Sequence, residues 1–209
     1  MMTIHDSGYR KLFSNKVIFR QLIETFVNED WVKDLDFEDC ETVDKSFISD
    51  HYKETESDII YKLKLKDKEV YFFILIEFQS TVERFMALRV LNYVTNFYMD
   101  YIESNPKIKM LPAMFPILLY NGDADWTAPV KLGELIEDHE RLGRFSISFE
   151  YFKIAENEYK REDLLQIKNI VSTLFLAESY YNIDLLKEEL LELFDRESDK
   201  EAVSLFLNW

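Results

Sequence analysis

The sequence predicts an α/β domain, a mixed sheet flanked by helices with a C-terminal helical extension, and three observations predict it. Two apolar-alternating runs, Ile59–Leu65 and Val70–Phe78, lie close enough to pair as a hairpin. A helical stretch then separates them from MFPILLY, Met114–Tyr120, whose unbroken apolar character suits a strand buried on both faces after a crossover helix. Beyond Ala155 the pattern is helical.

Taken in order, Ser7 to Val27 carries helical spacing through Leu12, Phe13, Val17, Phe19, Leu22, Ile23 and Phe26, with a break near Ser14-Asn15 and Asp6 or Ser7 as cap. Asp30 to Asp50 reads as irregular and acidic, with one short strand around Ser46 to Ser49. In the hairpin, a two-residue turn at Asp67-Lys68 pairs Lys66 with Glu69 and sets Asp58 directly opposite Glu77. Ile59, Tyr61, Leu63 and Leu65 then share a buried face with Val70, Phe72, Ile74, Ile76 and Phe78, while Lys62, Lys64 and Lys66 share the other face with the two acids. Ser80-Thr81-Val82-Glu83 has the form of a capping box and predicts a helix from Thr81 to Ile102, stopped by Ser104-Asn105-Pro106. Trp126 to Arg141 predicts a loop and a helix, and Arg144 to Ile154 another strand. Glu162 to Glu178, Ile183 to Phe194 and Glu201 to Trp209 predict three helices. The expected division is a core over residues 1–155 with residues 156–209 as a helical region packed on it, and SLFLNW carries no stop signal, so continuation beyond Trp209 is expected.

Composition removes several classes. A chain of 209 residues with 47% hydrophobic content can bury one substantial core. Its net charge of -15 argues against a nonspecific nucleic-acid coat, and the stretch from Ala155 onward holds 13 acids against 6 bases. Cys40 is the only cysteine, which excludes an intramolecular disulfide and a cysteine-clustered zinc site. The start lacks an apolar signal core, and Val70 to Ile76 is too short to span a bilayer, so the expectation is a soluble cytoplasmic protein with no membrane partner. Glu137-Asp138-His139-Glu140 lacks the spacing of a zinc protease, and no phosphate-binding glycine loop or nucleophile elbow occurs.

The chemistry concentrates on the acids. Directly opposed carboxylates, with Cβ atoms about 5 Å apart, destabilise a sheet unless a proton, a basic neighbour or a divalent cation is shared between them. Gln79, two residues past Glu77, shares its face and adds a neutral oxygen and amide. On these residues alone the pair is a metal site, a plain surface pair or the product of a wrong register.

Further motifs accompany it: His5-Asp6-Ser7-Gly8-Tyr9-Arg10-Lys11-Leu12-Phe13, then Ser57-Asp58-Ile59-Ile60-Tyr61, Ile76-Glu77-Phe78-Gln79-Ser80, Met86 with Arg89 and Tyr93, and Pro116-Ile117-Leu118-Leu119-Tyr120-Asn121-Gly122 with Trp126. Together they resemble the bacterial recombination-promoting nucleases, or YhgA-like putative transposases, of the PD-(D/E)XK superfamily, over roughly residues 4 to 195. The resemblance implies a restriction-endonuclease-like sheet and metal-dependent DNA endonuclease activity. It implies catalysis by Asp58, Glu77 and Gln79, and Mg²⁺, or Mn²⁺ or Ca²⁺, held by Asp58, Glu77 and the Phe78 carbonyl. DNA, the implied partner, would be contacted by Arg89, Lys62, Lys64, Arg10 and His5. Gln79 stands where most of the superfamily has lysine, and Arg10 where this branch often has lysine.

Two functions follow. The first is an endonuclease, expected to act as a homodimer through Leu185, Leu186, Leu190 and Phe194, since cutting both strands needs two centres. The second is a catalytically weak or inactive descendant serving as a protein-interaction module, favoured by the negative charge and the missing lysine.

Overall fold

A computed structural model describes residues 4–43, 59–66, 68–77, 82–180 and 182–209. Five strands form one sheet in the order β1 (Leu35–Thr42), β2 (Ile59–Leu65), β3 (Lys68–Glu77), β4 (Ala113–Tyr120) and β5 (Phe152–Ala155). The first two pairings are antiparallel and the last two parallel, so the sheet is mixed, in agreement with a restriction-endonuclease-like core. The helices are α1 (Ile4–Phe13), α2 (Lys16–Phe26), α3 (Met86–Ser104), α4 (Arg161–Ile167), α5 (Ile170–Ser179), α6 (Ile183–Arg196) and α7 (Lys200–Leu207).

The break between α1 and α2 falls at Ser14-Asn15 as expected, because Asn15 caps α2 by accepting from the backbone N–H groups of Val17 and Ile18. The start differs: α1 begins at Ile4, so Asp6 and Ser7 lie inside the helix and not at its cap. The acidic stretch after α2 holds a 3-10 turn at Asp30–Asp34 and then β1, while residues 46–49 lie outside the described residues.

In the hairpin the expected register is corrected. Leu65 pairs with Lys68 and Lys64 with Glu69, so the hairpin closes one residue earlier than expected, with Lys66 at φ 57, the left-handed conformation a primed turn needs. Moving the turn by one residue slides the partner strand by two, and Ile59 opposes Ile74 where the expected register set it against Ile76. The facial alternation survives such a slide. Ile59, Tyr61, Leu63, Val70 and Phe72 are buried together, with Phe19 of α2 stacked on Tyr61 at 3.9 Å. Position 58 lies outside the described residues, and its opposition to Glu77 is not carried by this ladder.

The two faces of the sheet have separate cores. Beneath one, α1, α2, α4, α5 and α7 contribute a continuous apolar layer that includes Phe13, Leu22, Leu174, Phe175 and Phe206. Residues after 155 thus share a core with the first two helices. On the other face α3 lays Met86, Ala87, Val90 and Phe97 over Ile60, Tyr71, Leu118 and Tyr120. Phe97 and Tyr101 meet the Tyr71 ring at 5.0 and 5.9 Å.

Other boundaries move for local reasons. α3 starts at Met86, not Thr81, and its cap residue Phe85 makes no side-chain capping bond; Glu83, expected to close a capping box, binds Arg89 instead. Residues 126–151 form no α-helix but 3-10 turns at Leu132–Leu135 and His139–Phe145, and the expected strand from Arg144 shrinks to Phe152–Ala155. Gly143, at φ 50, breaks the regular path there. The expected helix over 162–178 is two, because Lys168 turns left-handed and Asn169 caps α5 in a reciprocal bond with Ser172. On α6, Leu190 is partly buried against the core and Phe194 is exposed.

Candidate active site at the ends of the parallel strands

Three strands finish on one row. Glu77 of β3 is in register with Tyr120 of β4, and Tyr120 with Ala155 of β5. Neighbouring strands lie about 4.8 Å apart, so the backbone at Glu77 and at Ala155 is separated by roughly 10 Å along this row. Carboxyl ends of parallel strands are where α/β folds place ligands, since the chain leaves the sheet there and side chains of successive loops converge.

Of the residues expected to do chemistry, Glu77 is the last residue of β3. Asp58, Phe78 and Gln79 lie outside the described residues. His5 and Arg10 both belong to α1. The expected DNA contacts are engaged elsewhere. Lys62 reaches Glu41 at 3.4 Å and Glu69 at 3.7 Å, and Lys64 is bonded to Asp39 across the bulge in β1. Half-buried Arg89 pairs with Glu83 at 2.8 Å and donates from Nε to the Tyr93 hydroxyl at 2.7 Å. The spacing Met86, Arg89, Tyr93 is thereby explained as helix packing, with Met86 in the core and Arg89 held one turn below Tyr93.

Two other motif segments meet at a cluster that the sequence does not reveal. Glu156 follows β5 directly and is 1% exposed. The hydroxyl of Tyr9, on α1, donates to Glu156 Oε2 at 3.1 Å, and the Asn121 side chain hydrogen-bonds the same hydroxyl from the loop after β4. Glu156 Oε1 has no partner among the described residues. Burial drives the Glu156 carboxyl well above the usual carboxylate range; the Tyr9 bond opposes this, and the negative charge of Glu178 at the end of α5 adds to it. Burial and the same two glutamates raise the Tyr9 phenol. Nothing in FKIAENEYK distinguishes Glu156 from the exposed acids around it, because a single strand end gives no hydrophobic period to read.

The remaining motif residues support this corner. Tyr120 donates to the Ala124 carbonyl at 2.9 Å and packs on Trp126 at 4.9 Å. A side chain on Gly122 would run into the Tyr120 ring, 2.2 Å from its hydroxyl. Asn157 donates to the carbonyls of Gly122 and Ala124, both at 3.1 Å. Trp209 stands edge-on to Tyr9 at 5.3 Å, and a Cβ on Gly8 would come within 2.4 Å of its indole. Cys40 is buried, which pushes its thiol up to about 11 and leaves it without nucleophilic character. No helix among the described residues is long and apolar enough to cross a membrane.

Comparison with known proteins adds to this geometry. The family described as "Putative transposase, YhgA-like" matches residues 3–204. The recombination-promoting nuclease RpnD of Escherichia coli O157:H7 is 26% identical over 120 residues, 57% of this chain and 46% of the relative. RpnA of Escherichia coli K12 is 32% identical over 77 residues, covering 37% and 26%. A third relative from that strain, the inactive recombination-promoting nuclease-like protein RpnE, is 25% identical over 141 residues, covering 67% and 46%. The chain spans less than half the length of these relatives. No solved structure matches it.

Proposed function

Because the chain belongs to the YhgA-like putative transposase family, whose relatives include named recombination-promoting nucleases, we propose that it is a divalent-metal-dependent endodeoxyribonuclease. The observation that carries this reading is the place of Glu77, at the carboxyl end of β3 where the parallel strands stop, within a mixed sheet of the matching kind. Asp58, Glu77 and the Phe78 carbonyl offer only oxygen donors, which suit Mg²⁺, Mn²⁺ or Ca²⁺ and not a thiolate-seeking ion. Among the described residues no cluster of three or more His, Cys, Asp or Glu competes as a metal site. Such an ion, when bound, acidifies water and neutralises charge on the phosphate. Gln79 supplies an amide to orient the attacking water, without the positive charge a lysine would bring to the developing phosphorane. Arg10 and His5 of α1 stay candidates for backbone contacts, while contacts from Lys62, Lys64 or Arg89 would have to exchange the ion pairs those side chains make within the protein.

Those internal ion pairs, the net charge of -15 and relatives named inactive favour a second reading, a nuclease fold that binds protein partners without cutting. Supercoiled plasmid incubated with the protein and Mg²⁺ or Mn²⁺ separates the two. Nicking or linearisation by the wild type, absent in Asp58→Ala and Glu77→Ala, is the nuclease result. Equal, background-level products from all three would establish the non-catalytic reading. If cutting is double-stranded, light scattering should show a dimer, for which exposed Leu191 and Phe194 on α6 are available.

A further inference from the structure

The buried acid beside the strand ends has no part in the chemistry described so far. We propose that Glu156 is a positioning residue of the nuclease centre, fixing through Tyr9 how α1 meets the strand ends next to Glu77; the proposal rests on the nuclease reading. Three observations carry it. Glu156 follows Ala155, which lies on the row that Tyr120 and Glu77 also occupy. Its carboxyl accepts from Tyr9, one turn along α1 from His5, across 147 residues of sequence. It is buried with Oε1 unpartnered among the described residues, an arrangement that costs stability and is retained where an exact position matters more than a satisfied bond.

The groups facing Glu156 are Tyr9 from α1, Glu178 from α5 and, through the Tyr9 hydroxyl, Asn121 from the loop after β4. None of these three groups is a cation, and burial dominates. The carboxyl therefore stays neutral well above the ordinary carboxylate range. A raised folded-state pKa means that the stability contributed by the neutral carboxyl is fully present at acid pH and is lost as pH rises through that raised value, burial outweighing the stronger bond that Tyr9 would donate to a carboxylate. Ionisation would leave a buried charge under α1, and the helix would loosen.

The test compares wild type with Glu156→Gln, Glu156→Ala and Tyr9→Phe. Glu156→Gln keeps an acceptor for Tyr9 and cannot ionise. Hydrogen–deuterium exchange of the α1 amides is followed at pH 6 and pH 9, beside kcat and KM for plasmid cleavage with Mn²⁺. Tyr9→Phe and Glu156→Ala should speed α1 exchange about tenfold at pH 6, the equivalent of one lost hydrogen bond, and lower kcat by at least that factor with KM unchanged. Wild type should show the same loosening, read as protection relative to the intrinsic exchange rate, and the same loss of kcat as pH rises through the raised folded value. Glu156→Gln should match wild type at pH 6 and lose less at pH 9. Exchange in α1 that is indifferent to Tyr9→Phe, or an alkaline loss reproduced in full by Glu156→Gln, overturns the proposal. A wild type that cuts nothing overturns the nuclease reading instead, and exchange then decides alone whether Glu156 holds α1.

Discussion

The two ends of β3 both carry charge, and they use it in opposite ways. Near the turn, Lys62, Lys64 and Lys66 each meet an acid of β1, of β3 or of the turn before β1, in pairs that are at least partly open to water. At the carboxyl end, beside Glu77, the neighbouring strand ends lead into the Glu156 carboxyl, which is buried and, among the described residues, half-satisfied. Water screens the first set, so each lysine there is replaceable. It cannot reach the second, so small changes in the groups around Glu156 become changes in protonation and in helix placement. Charge at the turn end stays solvated and paired; the carboxyl at the other end does not.

The largest test of this contrast is catalytic. Glu77→Ala should lower plasmid cleavage at least a hundredfold, the scale on which loss of a group that stabilises developing charge is felt, whereas Lys62→Ala should change it less than threefold. Comparable losses from both would mean that the lysine ridge holds DNA and that its ion pairs open on binding. The contrast between the two ends would then fail.

A second, smaller effect concerns stability against pH. The raised pKa of Glu156 in the folded state gives the wild type stability that is complete below the unfolded carboxyl range, near 4.3, and is lost as pH rises through the folded value. Glu156→Gln lacks this titration. Its melting temperature should follow a flatter profile, and its gap over the wild type should grow as pH rises through the folded value, because the amide cannot become a buried charge. Parallel profiles would show that some group not facing Glu156 in this structure neutralises it.

How much of this was legible in the sequence depended on whether a feature was periodic. The apolar face of the hairpin, the MFPILLY strand and the break at Ser14-Asn15 were all readable, because alternation and capping are local. The register was misread by two residues, since Lys66-Asp67 and Asp67-Lys68 are equally poor in glycine and only the backbone shows which turns left-handed. Of the strand expected over 144–154 only Phe152–Ala155 forms, because the residues before it find no more than an isolated bridge, Glu150 with Lys131, to pair with. At the site, Glu77 was legible as the acid closing an apolar strand, but Glu156 was not. Its burial is produced by α1 and the strand ends closing over it, contacts from opposite ends of the chain.

Arg89 lies between the two extremes and sharpens the comparison. Its guanidinium is half-buried, paired with Glu83, bonded to the Tyr93 hydroxyl and placed over the Tyr93 ring at 5.6 Å. Arg89→Ala should therefore cost about 1–2 kcal/mol in urea unfolding, more than an exposed pair, through lost packing of the side-chain stem as well as lost charge. Arg89→Lys should recover only part of this, because an ammonium cannot serve Glu83 and Tyr93 from one planar group. Full recovery would reduce the site to a simple ion pair.

The smallest expected effect is at Lys62. Its ammonium faces Glu41 at 3.4 Å and Glu69 at 3.7 Å, the second of these beyond hydrogen-bonding distance, and the side chain remains about a third exposed. Two acids around one lysine also repel each other, so the pairs do not add. Lys62→Ala should shift the unfolding free energy by no more than about 0.5 kcal/mol, and raising NaCl to 1 M should shrink even that difference, since the Debye length then falls to about 3 Å. A loss above 2 kcal/mol that persists at high salt would mean that the ammonium is held far more tightly than a one-third-exposed side chain with two screened partners allows, and the turn end of β3 would no longer count as replaceable charge.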